Sequence, residues 1–124
     1  MKVLVVDDFA TMRKIIKNVL KQINIENVVE AENGKHALGV LAGDSVDLII
    51  SDWIMPEMTG IEFLKACKAD DNIKTIPFIM VTAEAQKDNI MEAIKSGVDN
   101  YIVKPFTPDK LREAIDKAKA KVGK

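Results

Sequence analysis

Apolar residues along this chain fall into two alternating kinds of segment. Short unbroken runs occur at Val3-Leu4-Val5-Val6, Leu48-Ile49-Ile50, Phe78-Ile79-Met80-Val81 and Tyr101-Ile102-Val103, with a weaker one around Val28 and Val29. A strand covered on both faces needs apolar side chains at consecutive positions, so these runs predict buried strands of a parallel sheet. Between them lie segments with helical spacing. Met12, Ile15, Ile16, Val19, Leu20 and Ile23 share one face, while Arg13, Lys14, Lys17 and Lys21 lie off it, and the helix is expected to end near Asn24. Four further helices are expected around Ala37, Leu38 and Leu41; Phe63, Leu64 and Cys67; Ile90, Ala93 and Ile94; and Leu111, Ala114, Ile115 and Ala118.

The punctuation agrees with this division. Asn33-Gly34 turns the chain into the second helix, and Gly43-Asp44-Ser45 forms the loop back to the central strand. Thr59-Gly60-Ile61-Glu62 has the spacing of a capping box, Ser96-Gly97 suits a helix C-terminus, and Thr107-Pro108 starts the last helix with proline at its first position. Five strands alternating with five helices predict an α/β fold, a (βα)5 doubly wound five-stranded parallel sheet. No repeat or linker interrupts the 124 residues, so residues 1-124 are expected to form one domain.

Polar residues at the strand ends carry the chemistry. The first strand ends in Asp7 and Asp8, the central one in Asp52, the fourth in Thr82 and the fifth in Lys104. In a parallel sheet these ends share one edge, where ligands of open α/β sheets bind. A turn aspartate bonding to nearby N–H groups is an alternative for Asp52 taken alone. Three carboxylates together would repel by about 4 kcal/mol per pair at 4 Å, so they must protonate or meet a cation. An all-oxygen cluster with room for water suits Mg²⁺, and Lys104 and Thr82 are groups to aim at phosphoryl oxygens. The deduction is a Mg²⁺-assisted phosphoryl site with a carboxylate nucleophile; its alternative is a set of unrelated polar loop starts.

Composition narrows the partners. A net charge of -1 gives no footprint for nucleic acid or an anionic membrane surface. The single cysteine, Cys67, has no internal disulfide partner and reads as a small core residue. No apolar run approaches the length of a membrane span, and Asp7 and Asp8 interrupt any signal-like start, so a cytoplasmic domain is expected. His36, the only histidine, is assigned no role.

The stretches Val5-Val6-Asp7-Asp8-Phe9, Ser51-Asp52-Trp53, Met55-Pro56, Val81-Thr82-Ala83-Glu84-Ala85 and Tyr101 through Thr107 together closely resemble the receiver domains of bacterial two-component response regulators, particularly the single-domain chemotaxis type. The resemblance covers the chain from Val3 to the last helix. It implies a flavodoxin-like fold with strand order 2-1-3-4-5 and no effector domain. It implies that Asp52 accepts a phosphoryl group from a histidine kinase. Asp8, Asp52 and the backbone carbonyl of Ile54 would ligate Mg²⁺, Asp7 would act through water, and Thr82 and Lys104 would contact the phosphoryl oxygens. Family receivers have a cis peptide at the position of Lys104-Pro105. Ile54 and Glu84 stand where phosphate lifetime is tuned. Chemotaxis regulators often carry a polar amide at the first of these, and Ile54 departs from that, offering no hydrogen bond to an attacking water. The resemblance further implies that Tyr101 swings between exposed and inward positions. The face of Lys87, Ile90, Val98 and Tyr101 would then change shape for a partner, a flagellar motor switch protein in chemotaxis. A phosphatase is a further possible partner, and the protein is expected to be a monomer that binds neither nucleic acid nor membrane.

Three rivals share the fold class or the chemistry. A Mg²⁺-dependent aspartyl-phosphate phosphohydrolase should carry Asp-x-Asp on the first strand and an added cap domain. A flavin carrier should carry a Ser/Thr/Gly-rich loop there, whereas two aspartates would repel phosphate. A receiver-shaped scaffold or relay outside chemotaxis is the third, and against a scaffold that is never phosphorylated stand the intact Asp52, the acidic pair, Thr82 and Lys104.

Overall fold

A computed structural model describes residues 1–53, 55, 58–82, 87–104 and 106–122, without the side chains of Thr82, of residues 87–90 or of Val122. The strands are β1 (Lys2–Val6), β2 (Asn27–Ala31), β3 (Leu48–Asp52), β4 (Phe78–Thr82) and β5 (Asn100–Val103). The helices are α1 (Ala10–Gln22), α2 (Gly34–Gly43), α3 (Gly60–Ala69), α4 (Lys87–Lys95) and α5 (Pro108–Val122). All four strand pairings are parallel, in the order β2-β1-β3-β4-β5.

The unbroken apolar runs divide between two cores, because successive strand side chains point to opposite faces. Leu4, Val6, Ile49, Phe78 and Met80 pack on one face with Ala37 and Leu41 of α2, and with Phe63, Leu64 and Cys67 of α3. Val3, Val5, Ile50, Ile79 and Val81 pack on the other with Ile16 and Leu20 of α1, and with Leu111 and Ile115 of α5. Each fully buried aliphatic side chain contributes roughly 1.5–3 kcal/mol, so both helical layers are needed to hold the sheet. Burial pushes the Cys67 thiol up to about 12, which leaves it a core group and not a nucleophile.

The helix ends follow the local signals. Thr59 Oγ1 accepts from the N–H of Glu62 while Glu62 Oε1 accepts from the N–H of Thr59, completing the capping box. Thr107 Oγ1 accepts from Lys110 ahead of Pro108. Gly97 lies at φ +94°, its N–H donating to Ile94 O while Val98 N–H donates to Ala93 O, the two bonds of a Schellman motif. Asn24 closes α1 in the same way at φ 67°.

Three apolar positions depart from expectation. Ile15 and Ile94 are exposed, because the sheet and neighbouring helices cover a narrower stripe than the periodicity marks. Val98, expected on an exposed partner face, is only 4% exposed. As the residue after the glycine of the Schellman motif, it is turned inward against Ala93 in the same core. At the sheet edge away from the acidic strand ends, a nearly buried Asp99 carboxylate accepts from the N–H of Phe78 (2.8 Å) and from Lys68 Nζ (2.9 Å). Lys121 Nζ lies 4.0 Å from its other oxygen and donates to Val98 O.

Candidate functional site

Register brings the polar strand ends together. Val6 pairs with Ser51, so the next residues, Asp7 and Asp52, sit level on neighbouring strands. Asp52 pairs with Val81, and Thr82 with Val103, one residue before Lys104. Thus five residues separated by nearly a hundred positions share one edge of the sheet, and the structure unites Asp7, Asp8, Asp52 and Lys104 at side-chain level. Carboxylate oxygens of Asp7, Asp8 and Asp52 all lie within 4.8 Å of one another. Lys104 Nζ stands 3.2 Å from Asp52 Oδ1 and 3.8 Å from Asp7 Oδ2.

One lysine does not satisfy three carboxylates. Asp7 is wholly buried; its Oδ1 accepts from the N–H of Phe9 at 2.9 Å. Its Oδ2, and Oδ1 of Asp8, are buried without a hydrogen-bond partner among the described residues. Burial raises the Asp7 carboxyl pKa above its ordinary value, and the charges of Asp52 and Asp8 add to this against Phe9 N–H and Lys104. Burial likewise raises Asp52, with Lys104 and the Trp53 N–H pulling it down and Asp8 pushing it up. A buried anion without a partner is costly, and two such oxygens beside a third carboxylate fit a hard divalent cation that keeps several waters.

Asp52 is held at its backbone and at one oxygen. Oδ1 accepts from the N–H of Trp53 at 2.9 Å and from Lys104 Nζ. Both of these bonds fall on Oδ1, and among the described residues Oδ2 accepts none. The buried Ser51 hydroxyl donates to Asp52 O. Gly60, the first residue of α3, donates its N–H to Trp53 O at 2.8 Å. A Cβ at Gly60 would lie 2.4 Å from Asp52 O and 2.9 Å from Met80 Sδ. The helix therefore presses its first turn on the Asp52–Trp53 peptide. Gly60→Ala should cost about 1–3 kcal/mol through overpacking and displace Asp52; an unchanged urea midpoint would show that the helix withdraws freely.

Arg13, Ser51 and Gly60 were given no role at the site by sequence. For Gly60 a signal existed, since glycine is a poor helix former at a position where alanine would serve. The expected switch residue Tyr101 is 37% exposed. Its N–H donates to Asn100 Oδ1 at 2.8 Å, and Asn100 Nδ2 donates to Ala114 O of α5. The backbone of Thr82 ends β4; its side chain and those of Lys87 and Ile90 lie outside the described residues, as do Ile54, Glu84 and the Lys104-Pro105 bond. His36 is exposed, its Nδ1 accepting only from the Glu32 N–H among the described hydrogen bonds.

Response regulator receiver domains, as a family, match residues 3–116. The chain is similar to chemotaxis protein CheY of Pseudomonas aeruginosa, at 50% identity over 117 residues, 94% of each chain. It is similar to CheY-3 of Vibrio cholerae at 48% identity over 117 residues, 94% of this chain and 90% of that protein. Among solved structures, the chemotaxis response regulator CheY4 of Vibrio cholerae superposes with a TM-score of 0.85 at 35% identity, over 94% of this chain and 97% of that one.

Proposed function

Because this chain belongs to the family of response regulator receiver domains, we propose that it is a phosphorylation-dependent switch of chemotaxis whose acceptor is Asp52. Receiver domains are signalling proteins and not dedicated enzymes. The observation that carries the assignment is the meeting of Asp7, Asp8, Asp52 and Lys104 at one sheet edge, with two buried carboxylate oxygens lacking a hydrogen-bond partner among the described residues. Asp8 and Asp52, with the Ile54 carbonyl, would hold Mg²⁺ directly, and Asp7 through water. When bound, the ion would offset the carboxylate charge and polarise the phosphoryl oxygens.

The chain's own groups account for the rest. The donor is a histidine kinase carrying phosphohistidine. An Asp52 carboxylate oxygen forms the P–O bond as the donor's P–N bond breaks, and the imidazole nitrogen keeps the electron pair. Lys104, 3.2 Å from Asp52 Oδ1, supplies positive charge where the phosphoryl oxygens arrive. Thr82 would donate its hydroxyl to one of them. By the family resemblance Ile54 and Glu84 stand at the positions that tune phosphate lifetime, and an isoleucine side chain offers no hydrogen bond to an attacking water. Acetyl phosphate tests the whole reading: a Mg²⁺-dependent gain of one phosphoryl mass is expected. Rapid multiple turnover would instead favour the phosphohydrolase.

Output would pass through Tyr101 and the α4 surface to a flagellar motor switch protein. Tyr101 is supported in this role by its partial exposure. Moving such a switch from mostly off to mostly on takes about 5.5 kcal/mol of differential binding, so partner and phosphate must act together. Tyr101→Ala should retain Asp52 phosphorylation and lose the phosphate-dependent gain in partner binding, measured by fluorescence anisotropy. An undiminished gain would remove Tyr101 from the switch.

A further inference from the structure

Behind the acidic pair lies a charged assembly that the phosphoryl site does not use directly. Arg13 of α1 donates from Nη1 to the backbone carbonyl of Asp7 at 2.5 Å. Its Nε donates to Glu30 Oε1 of β2 at 3.0 Å, and Lys17 Nζ donates to Glu30 Oε2 at 3.2 Å. The Arg13 side chain is 16% exposed. Burial pushes the Glu30 carboxyl up, but the bonds from Lys17 and Arg13 outweigh this and hold it below its ordinary value. Glu30 is thus an ionised anchor for Arg13. The carbonyl that Arg13 holds belongs to the peptide joining Asp7 to Asp8. The Asp7 N–H is fixed separately, donating to Ala31 O at 3.1 Å. Rotation of the Asp7–Asp8 peptide would redirect the Asp8 carboxylate, whose Oδ1 is buried and without a partner among the described residues.

We infer that Arg13, anchored by Glu30, is a positioning residue that fixes the Asp7–Asp8 peptide and thereby the ligand geometry for Mg²⁺. The inference rests on the reading of the acidic cluster as the Mg²⁺ site. Outer partners that orient metal ligands are typically worth 10–100-fold in affinity. Orientation and simple charge predict opposite signs here. Removing a cation from the neighbourhood of three carboxylates would by charge alone tighten binding of a divalent cation. Removing a strut that orients the ligands weakens it.

The test is a Mg²⁺ titration of Trp53 fluorescence, with the thermal shift produced by Mg²⁺ as a second readout. Arg13→Gln should weaken Mg²⁺ binding roughly tenfold. Glu30→Gln, which leaves Arg13 in place but loosens it, should weaken binding less and in the same direction. Phosphorylation of Arg13→Gln by acetyl phosphate should be slow at low Mg²⁺ and return near the parent rate at saturation. Arg13→Lys keeps the charge but not the two-pronged hold, and should resemble the glutamine variant. A parent-like or tighter Mg²⁺ midpoint in Arg13→Gln overturns the proposal, provided Asp8→Asn has lost its Mg²⁺ response. If Asp8→Asn still responds to Mg²⁺ as the parent does, the reading of the cluster falls and the role of Arg13 falls with it.

Discussion

Asp52→Asn should take up no phosphoryl group from acetyl phosphate and, in metal-free buffer at neutral pH, should unfold at a higher temperature than the parent. The first effect follows from removal of the nucleophile. The second follows from the site's electrostatics. Folding raises the pKa values of Asp52 and Asp7, with burial as the main cause, so the folded chain holds their protons more tightly than the unfolded one. Their contribution to stability is fully present below the unfolded value of about 4 and is lost as pH rises through the raised folded values. At neutral pH the ionised Asp52 and Asp7 carboxylates therefore oppose folding, and a neutral amide at position 52 relieves part of that opposition. The gap between variant and parent reports Asp52 together with the effect of its charge on Asp7. It should be small near pH 4 and widen toward pH 7, each kcal/mol appearing as roughly 3–6 °C. Mg²⁺ should close the gap by stabilising the parent. A variant that unfolds at a lower temperature than the parent in chelator at neutral pH would overturn this account of the cluster.

Asp99→Ala should be the most destabilising of the substitutions considered, by about 3 kcal/mol, without altering Mg²⁺ binding. The carboxylate is 5% exposed and serves as acceptor for the Phe78 N–H and for Lys68 at the sheet edge opposite the acidic site. Its loss leaves the Phe78 N–H without its acceptor and a half-buried lysine without its anion, costs of about 1–3 kcal/mol for the first alone. Denaturant unfolding measures the loss, and the Trp53 titration should give the parent's Mg²⁺ midpoint. A shifted midpoint would mean that the two edges of the sheet are coupled.

These expectations draw unequally on the sequence. The acidic edge was legible because unbroken apolar runs identify parallel strands, and parallel strands must deliver Asp7, Asp52, Thr82 and Lys104 to the same side. The caps at Thr59, Gly97 and Thr107 were legible because their chemistry is local. What escaped was the outcome of neighbour packing. Periodicity marked Ile15 and Ile94 as apolar-face residues without saying how far the sheet reaches beneath them. Val98 was expected at the surface, and a single turn of backbone after Gly97 carries it inward. Arg13 reads in sequence as one more basic residue off the apolar face. Only the register of β1 against β2 brings Glu30 and the Asp7 carbonyl within its reach. Asp99 likewise has no local signal, since its partners lie 21 and 31 positions away.

The bond between the Tyr101 N–H and the Asn100 side chain bears on how this flank can be approached. β5 is a border of the sheet, and an open border ordinarily invites a foreign strand to pair with it. Here the outward donor at Tyr101 is already taken by the preceding side chain, which is itself tethered to α5. An incoming strand would have to break that bond before gaining one of its own. Backbone templating is thereby discouraged, which guards the protein against edge-to-edge association. A partner at this border would then have to bind through side chains such as the exposed Tyr101 and not through a ladder of backbone amides.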